Sequence, residues 1–575
     1  MNSKYYKNVL KKRIGYLVLL VCVIAIAIGA ILSSVSPYIF GKTIDTISIK
    51  NQSDFHIWIT GYIVVLLMIQ LFLTVETLIG QWVTITIEND IKKSLMESIL
   101  YIKNRYLEQY EKGALLNRIE FDVETIAGYY IDLIGSILMI ILNSLIAIYF
   151  IFQISIKLSL VAIVFLPFSF LVNYFFRNKI RMIGIKQKEI NDQYLSYNGW
   201  IFININSLKA FGRQKNILER FSSFLNSKLD IDMKGTKLSL QVSVIRAILS
   251  SGLNVALLTI AGILIMDGEM TIGNLVAFNS YLEMLYQAIS KMLELNLNKQ
   301  GVIVSCERLG EIRFAESELK GEKGSILDVP IKEIEFDKVC FSYSNEKSIL
   351  SDTSFTIKEN GLYSFVGENG CGKTTILKLL EKFYDVEQGQ IKINKIDIND
   401  YEIFSVRENI AYMSKEPFFI YDTVYENIRL ANNHISEDEI EDICRQVGLH
   451  KDIMKMQQQY RSLIESDGGN LSNGQKQKLS FARIMACKKA SLYLLDEITS
   501  DLDGIAEKNI CDLVEEIAKH AIIICVSHKE ELLKRSRKIL VIEEGKVMDT
   551  GTHESLLNSS ITYKKLYENQ REGER

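Results

Sequence analysis

The stretch Gly367-Glu368-Asn369-Gly370-Cys371-Gly372-Lys373-Thr374 satisfies the spacing G-x-x-x-x-G-K-[ST] in full. A short apolar strand, Tyr363 to Val366, precedes it, and a helix-forming run, Thr375 to Leu380, follows it. That is the context the motif requires. Its glycines let the backbone curl so that successive N–H groups face phosphate oxygens, and the helix that follows adds its positive end. Lys373 is expected to reach the outer phosphates, and Thr374 to hold Mg²⁺ through its hydroxyl.

A second apolar strand, Ser491 to Leu495, ends in Asp496-Glu497. A strand that delivers two carboxylates beside a phosphate loop can bring one to a metal ion and the other to an attacking water. From Ile331 onward, short β-branched runs alternate with helical patterns, which predicts an α/β domain over 331–570.

The first half has a different chemistry. The 575 residues are 48% hydrophobic and 23% charged, too apolar for an ordinary soluble protein and too charged for one wholly in lipid. The apolar mass falls in six stretches before residue 300: about 14–36, 57–75, 129–152, 158–176, 244–266 and 272–293. Each approaches the ~20 residues that cross ~30 Å of hydrocarbon. The first is too long for the core of a cleaved signal peptide and has five successors. The expected architecture is an all-α polytopic membrane domain of six spans over 1–300, a charged linker over 301–330, and the α/β domain.

Charge sets the expected orientation. Lys4, Lys7, Lys11, Lys12 and Arg13 precede the first span, residues 177–240 hold twelve Lys or Arg, and the connection Asp267 to Thr271 holds none. Both termini and the phosphate-binding domain are therefore expected in the cytoplasm, with the long connections 76–128 and 177–243 on the same side. The net charge of −3 carries no basic excess, so no nucleic-acid partner is expected. The eight cysteines form no C-x-x-C pair and suggest neither a zinc site nor a disulfide framework; apart from Cys371 they read as small buried side chains.

Leu471-Ser472-Asn473-Gly474-Gln475, followed by Lys476 to Arg483 and then by the acidic strand, resembles the LSGGQ signature of ATP-binding-cassette (ABC) proteins. Tyr343 is similar to the aromatic that stacks on adenine in that family, Ser500-Asp501-Leu502-Asp503 to its D-loop, and His528 to its switch histidine. Ser207 to Arg213 and Met270 to Phe278 resemble segments of exporter-type members. The resemblance implies a P-loop ATPase domain fused to six spans: a half-transporter in the bacterial plasma membrane. It would pair with an identical or a different second chain and contact membrane lipid and a transported solute.

By that resemblance the cofactors are ATP and Mg²⁺, with Thr374 and Asp496 on the metal. Glu497 would polarise water, and His528 would contact the γ-phosphate. Tyr343, Gly367 to Thr374, and Thr375 would bind one nucleotide, while Ser472, Asn473, Gly474 and Gln475 would face the partner's. Coupling segments are expected near 108–122 and 206–220.

Three positions depart from the family pattern. Lys415 stands where a glutamine normally ligates Mg²⁺, and a protonated ammonium cannot be a metal ligand. Either Lys415 swings to the phosphates or it points outward, and slower hydrolysis is expected. Asn473 replaces a glycine in the signature, a mild change since Asn tolerates positive φ better than most residues. Ser466 replaces a glutamate that usually touches the coupling helices. Cys371, beside Lys373 and a helix start, is expected to have a lowered thiol pKa.

In the sixth span Asn279, Glu283 and Gln287 lie on one helical face, away from lipid. Glu283 is expected to face a water-filled cavity, where it would meet a cationic solute, or a helix partner such as Arg246. The favoured function is ATP-driven export of an amphipathic or hydrophobic solute. The rival is a membrane module that nucleotide gates without pumping.

Overall fold

The computed structural model describes residues 16–110, 112–319, 324–343 and 348–573; Lys4 to Arg13 and the start of the first span lie outside them. The chain divides into two compact units. One comprises the chain up to Leu100 together with Gln109–Ala315; the other comprises Tyr101–Glu108 with Glu316–Arg575.

The first unit is built from six long helices: α1 (Tyr16–Ser48), α2 (Gln52–Leu100), α3 (Val123–Ile154), α4 (Ile156–Ile203), α5 (Gln214–Met266) and α6 (Ile272–Phe314). Each contains one of the apolar stretches. Four are long and apolar enough over their described residues to cross a membrane by length and composition: α1, α2, α5, and the helical stretch that contains α3. At 1.5 Å per residue the 49 residues of α2 extend roughly 74 Å, more than twice a hydrocarbon core. The continuous helix explains why a polar segment follows the apolar one without a break.

The short connections are tightly made. A single extended residue, Ser155, separates α3 from α4, and its hydroxyl caps α4 by accepting from the Leu158 N–H. Thr271 caps α6 in the same way through the Asn274 N–H. Asp45 on α1 binds this turn: its carboxylate accepts from Thr271 Oγ1 at 2.9 Å and from the Gly273 N–H at 2.8 Å. A side chain on Gly273 would meet the Gly41 carbonyl at 2.0 Å, so α1 and α6 touch backbone to backbone there. Deeper in, Phe150 stacks on the fully buried Tyr281 with centroids 5.0 Å apart.

The second unit is α/β. Its main sheet contains β1 (Gly361–Val366), β2 (Ile410–Met413), β3 (Leu492–Asp496), β4 (Ile522–Val526), β5 (Lys538–Glu543) and β6 (Lys546–Gly551). The order is β6-β5-β1-β4-β3-β2, parallel except for the β5–β6 edge. β3 and β4 are buried along their whole length, which is why they read as continuous apolar runs. A separate antiparallel sheet is made from Ile334–Phe341, Leu350–Ile357, Gln388–Ile393 and Ile396–Asp397.

This unit also holds residues 101–108 with the short helix Asn104–Leu107. Lys103 Nζ lies 2.9 Å from Asp385 and 3.0 Å from Glu316, and the Tyr384 hydroxyl donates to Glu108. The segment that packs with the α/β unit therefore lies just upstream of the expected 108–122. The cysteines are less uniform than expected. Cys371, Cys444, Cys511 and Cys525 are buried, whereas Cys22, Cys306, Cys340 and Cys487 are only half-buried.

Candidate functional site

Register gathers the site. Val526 at the end of β4 lies level with Phe365 on β1 and with Asp496 on β3. The residues just beyond these three strands meet at one edge of the sheet: the phosphate loop after β1, Glu497 after β3, and Ser527-His528 after β4. In open parallel sheets, ligand sites form at the carboxyl ends of the strands.

The loop needs its glycines. Gly372 has φ +105°, and a Cβ there would meet Leu350 Cδ2 at 2.7 Å; a Cβ on Gly367 would meet the Ile542 carbonyl at 2.2 Å. The chain then enters helix α7 (Lys373–Leu380). Lys373 is 6% exposed, and its Nζ donates to the Gly367 and Glu368 carbonyls at 2.7 and 2.9 Å. Its ammonium is thus folded over the loop whose N–H groups would cradle phosphate.

Thr374 Oγ1 donates to Asp496 Oδ2 at 2.9 Å. Asp496 is 4% exposed, and burial holds its carboxyl above the usual range while the Thr374 hydrogen bond opposes this. A hydroxyl and a buried carboxylate side by side are hard oxygen donors, the pair that suits Mg²⁺ when phosphate oxygens complete its shell. These two residues would hold the ion, which supplies charge neutralisation at the phosphates when bound.

Glu497 has φ +53°, a strained conformation for a residue with a Cβ, and its N–H donates to the Val526 carbonyl at 2.9 Å. The turn takes its carboxylate off the strand direction. Glu497 Oε2 accepts from Lys415 Nζ at 2.7 Å. Lys415 therefore takes neither expected course: it binds the neighbouring carboxylate.

His528 is half-buried, and desolvation, followed by the charge of Lys373, pushes its pKa below the usual histidine value. Both effects favour the neutral ring, which can donate to a phosphate oxygen from one nitrogen. Cys371 departs from expectation. Burial pushes its thiol pKa up, outweighing the pull of Lys373, whose Nζ lies 3.8 Å from Sγ. Proximity to a cation was legible in sequence, but desolvation was not.

Tyr343 lies in a bend two residues past the strand Ile334–Phe341, its hydroxyl 3.3 Å from Thr375 Oγ1 and its ring edge-on to Tyr384. Lys378 sits over the ring at 5.5 Å. Glu368, Asn369 and Gly370 form the loop between β1 and α7.

The signature forms the start of helix α8 (Asn473–Met485). Ser472 accepts from the Gln475 N–H, and the Gln475 side chain accepts in return from the Ser472 N–H. This reciprocal cap explains the spacing of Ser and Gln. Asn473 is the first helical residue and does not adopt positive φ, so the tolerance expected of it is not called on. A Cβ on Gly474 would contact the Asp501 carbonyl at 3.4 Å. Gln477 was not singled out from sequence; it is 4% exposed and ties α8 to the D-loop, donating to Ser500 Oγ at 2.9 Å and accepting from the Asp501 N–H.

The helical unit contains a cavity of about 830 Å³ whose lining includes Glu76, Asp132, Asn143, Glu283, Gln287 and Lys291. Lys291 lies 3.2 Å from Asp132. Glu76 makes no ion pair among the described residues, and neither does Glu283. Glu76 was missed at sequence level, although a lone carboxylate following an apolar run is a recognisable signal.

Comparison with known proteins agrees with both halves. The model of the ABC transporter transmembrane region matches residues 19–289, and a second model, described as ABC transporter, matches 350–500. A Bacillus subtilis (strain 168) protein named "Putative multidrug export ATP-binding/permease protein YgaD" is 26% identical over 491 residues, covering 85% of this chain and 84% of its own. A Staphylococcus aureus (strain NCTC 8325 / PS 47) protein with the same descriptive name is 27% identical over 492 residues, covering 85% of each. A solved bacterial Atm1-family ABC exporter with ATP bound superposes with a TM-score of 0.86 at 20% identity, over 96% of this chain and 98% of its own. The chain belongs to the ABC transporters, with the membrane region and the ATPase domain on one polypeptide.

Proposed function

We propose that the chain is half of an ATP-driven exporter in a bacterial plasma membrane, with its ATPase domain cytoplasmic, and that it works as a dimer. Two ATPase domains would close on MgATP. Glu497 would accept the proton of the attacking water, Lys373 and His528 would hold the phosphates, and Ser472 to Gln475 would cap the partner's nucleotide. Closure and reopening would switch the helical units between inward- and outward-facing states.

The reading is carried by the membrane cavity, which shares a chain with the complete set of Lys373, Thr374, Asp496, Glu497 and His528. With Lys291 engaged by Asp132, Glu76 and Glu283 leave the lining net negative. An amphipathic or hydrophobic solute with a positive charge suits it. The multidrug-export names of the relatives support the same class.

Proteoliposomes with outward-facing ATPase domains test this. MgATP should drive uptake of a cationic amphipathic dye, Glu497→Gln should abolish it, and Glu283→Gln should weaken it without lowering basal ATPase. Hydrolysis that moves no solute of any charge would favour the gated module instead.

A further inference from the structure

The pairing of Lys415 with Glu497 follows from the sheet. Met413, the last residue of β2, lies level with Leu495 on β3 in parallel register. Two residues beyond each, Lys415 and Glu497 leave adjacent strands at the same height. The Ser414 hydroxyl donates to the Glu416 carbonyl at 2.7 Å, which turns the chain at this point. The left-handed backbone of Glu497 completes the approach, and Nζ reaches Oε2 at 2.7 Å.

The geometry points to Lys415 as a built-in brake on hydrolysis: its ammonium holds the carboxylate that would accept the water proton. The idea rests on the proposed role of Glu497. A neutral glutamine here could share the carboxylate's surroundings without neutralising it, whereas an ammonium cancels its charge and fixes one of its two oxygens. No bond is made or broken; the base is only held.

The brake is weak. The Lys415 side chain is 60% exposed and that of Glu497 25%. Exposed ion pairs are modest and salt-sensitive, so the pair should open often, and turnover is lowered without being stopped. Acidity does not release it either. The hydrogen bond to Glu497, followed by that carboxylate's charge, raises the lysine's pKa further, so Lys415 keeps its proton throughout the physiological range.

The test compares kcat and KM for MgATP in the purified full-length protein and in Lys415→Gln, Lys415→Met, Lys415→Arg and Glu497→Gln. Losing the ammonium should raise kcat about two- to fivefold, which is about 0.4–1 kcal/mol of barrier, with KM for ATP little changed. Lys415→Arg retains a cation and should stay slow. Added salt should accelerate the parent protein towards the glutamine variant while leaving that variant's rate flat, a response that a merely structural lysine would not give.

A kcat for Lys415→Gln that is equal to or below the parent's, beside an inactive Glu497→Gln, overturns the brake and leaves the role of Glu497 standing. Glu497→Gln turning over at the parental rate overturns both. Lys415→Arg as fast as Lys415→Gln also overturns the brake, since the charge would then not matter.

Discussion

Thr374 Oγ1 and Asp496 Oδ2 stand 2.9 Å apart although 122 positions separate them in the chain. One lies in the first turn of α7 after β1 and the other ends β3, and the parallel sheet brings them together. Because they would act on one ion, their loss should not be additive. Thr374→Ala and Asp496→Asn should each lower Mg²⁺-dependent ATP turnover about a hundredfold or more, and the double variant should be little worse. Steady-state ATPase assays across a Mg²⁺ titration measure this.

Glu497→Gln keeps the shape of the side chain and removes its capacity to take a proton. Turnover should fall by about 10²- to 10⁴-fold, the span typical of a positioned general base, while nucleotide affinity is retained. Equilibrium binding of a fluorescent ATP analogue, set beside single-turnover hydrolysis, separates the two effects.

Ser472 should matter twice. Replacing it with alanine removes the cap of α8, a loss of about 1 kcal/mol to the ATPase domain. It also removes a hydroxyl that would face the partner's nucleotide. Ser472→Ala should lower the thermal midpoint slightly and turnover strongly, whereas Ser472→Thr should recover most of the midpoint. Scanning calorimetry and ATPase assays on the same samples distinguish the two contributions.

Glu381, at the end of α7, is 8% exposed, and its pKa is pushed up to about 8 by burial, against the opposing charges of Arg407 and Lys378. The folded domain therefore favours its protonated form. A raised carboxyl contributes stability that is full below the unfolded value, near 4.3, and is lost as pH climbs through about 8. Between those limits the loss is about 1.4 kcal/mol per pH unit. The protein should be less heat-stable at pH 8 than at pH 6, and Glu381→Gln should flatten that slope. Thermal unfolding across pH, with and without nucleotide, gives the comparison.

The parts legible in sequence were those whose physics is local. The phosphate loop and its flanking strand and helix each depend on neighbours a few residues away. The membrane helices announced themselves by length and apolarity. The Lys415–Glu497 pair did not, because it arises from the register of two strands distant in the chain, and side-chain pattern alone does not give strand order. Cys371 shows the same limit from another side. Its neighbouring charge could be read, but the desolvation that outweighs it comes from packing against distant elements. Glu76, by contrast, could have been found as a lone carboxylate following the second apolar stretch.

The bare-backbone contact between Gly41 and Gly273, braced by Asp45, has a mechanical meaning. Two helices fastened so closely at one end cannot slide or twist past each other there, so that end should move as one piece. Any opening of the helical unit must then be hinged elsewhere along their length, and the widest displacements should occur at the opposite tips.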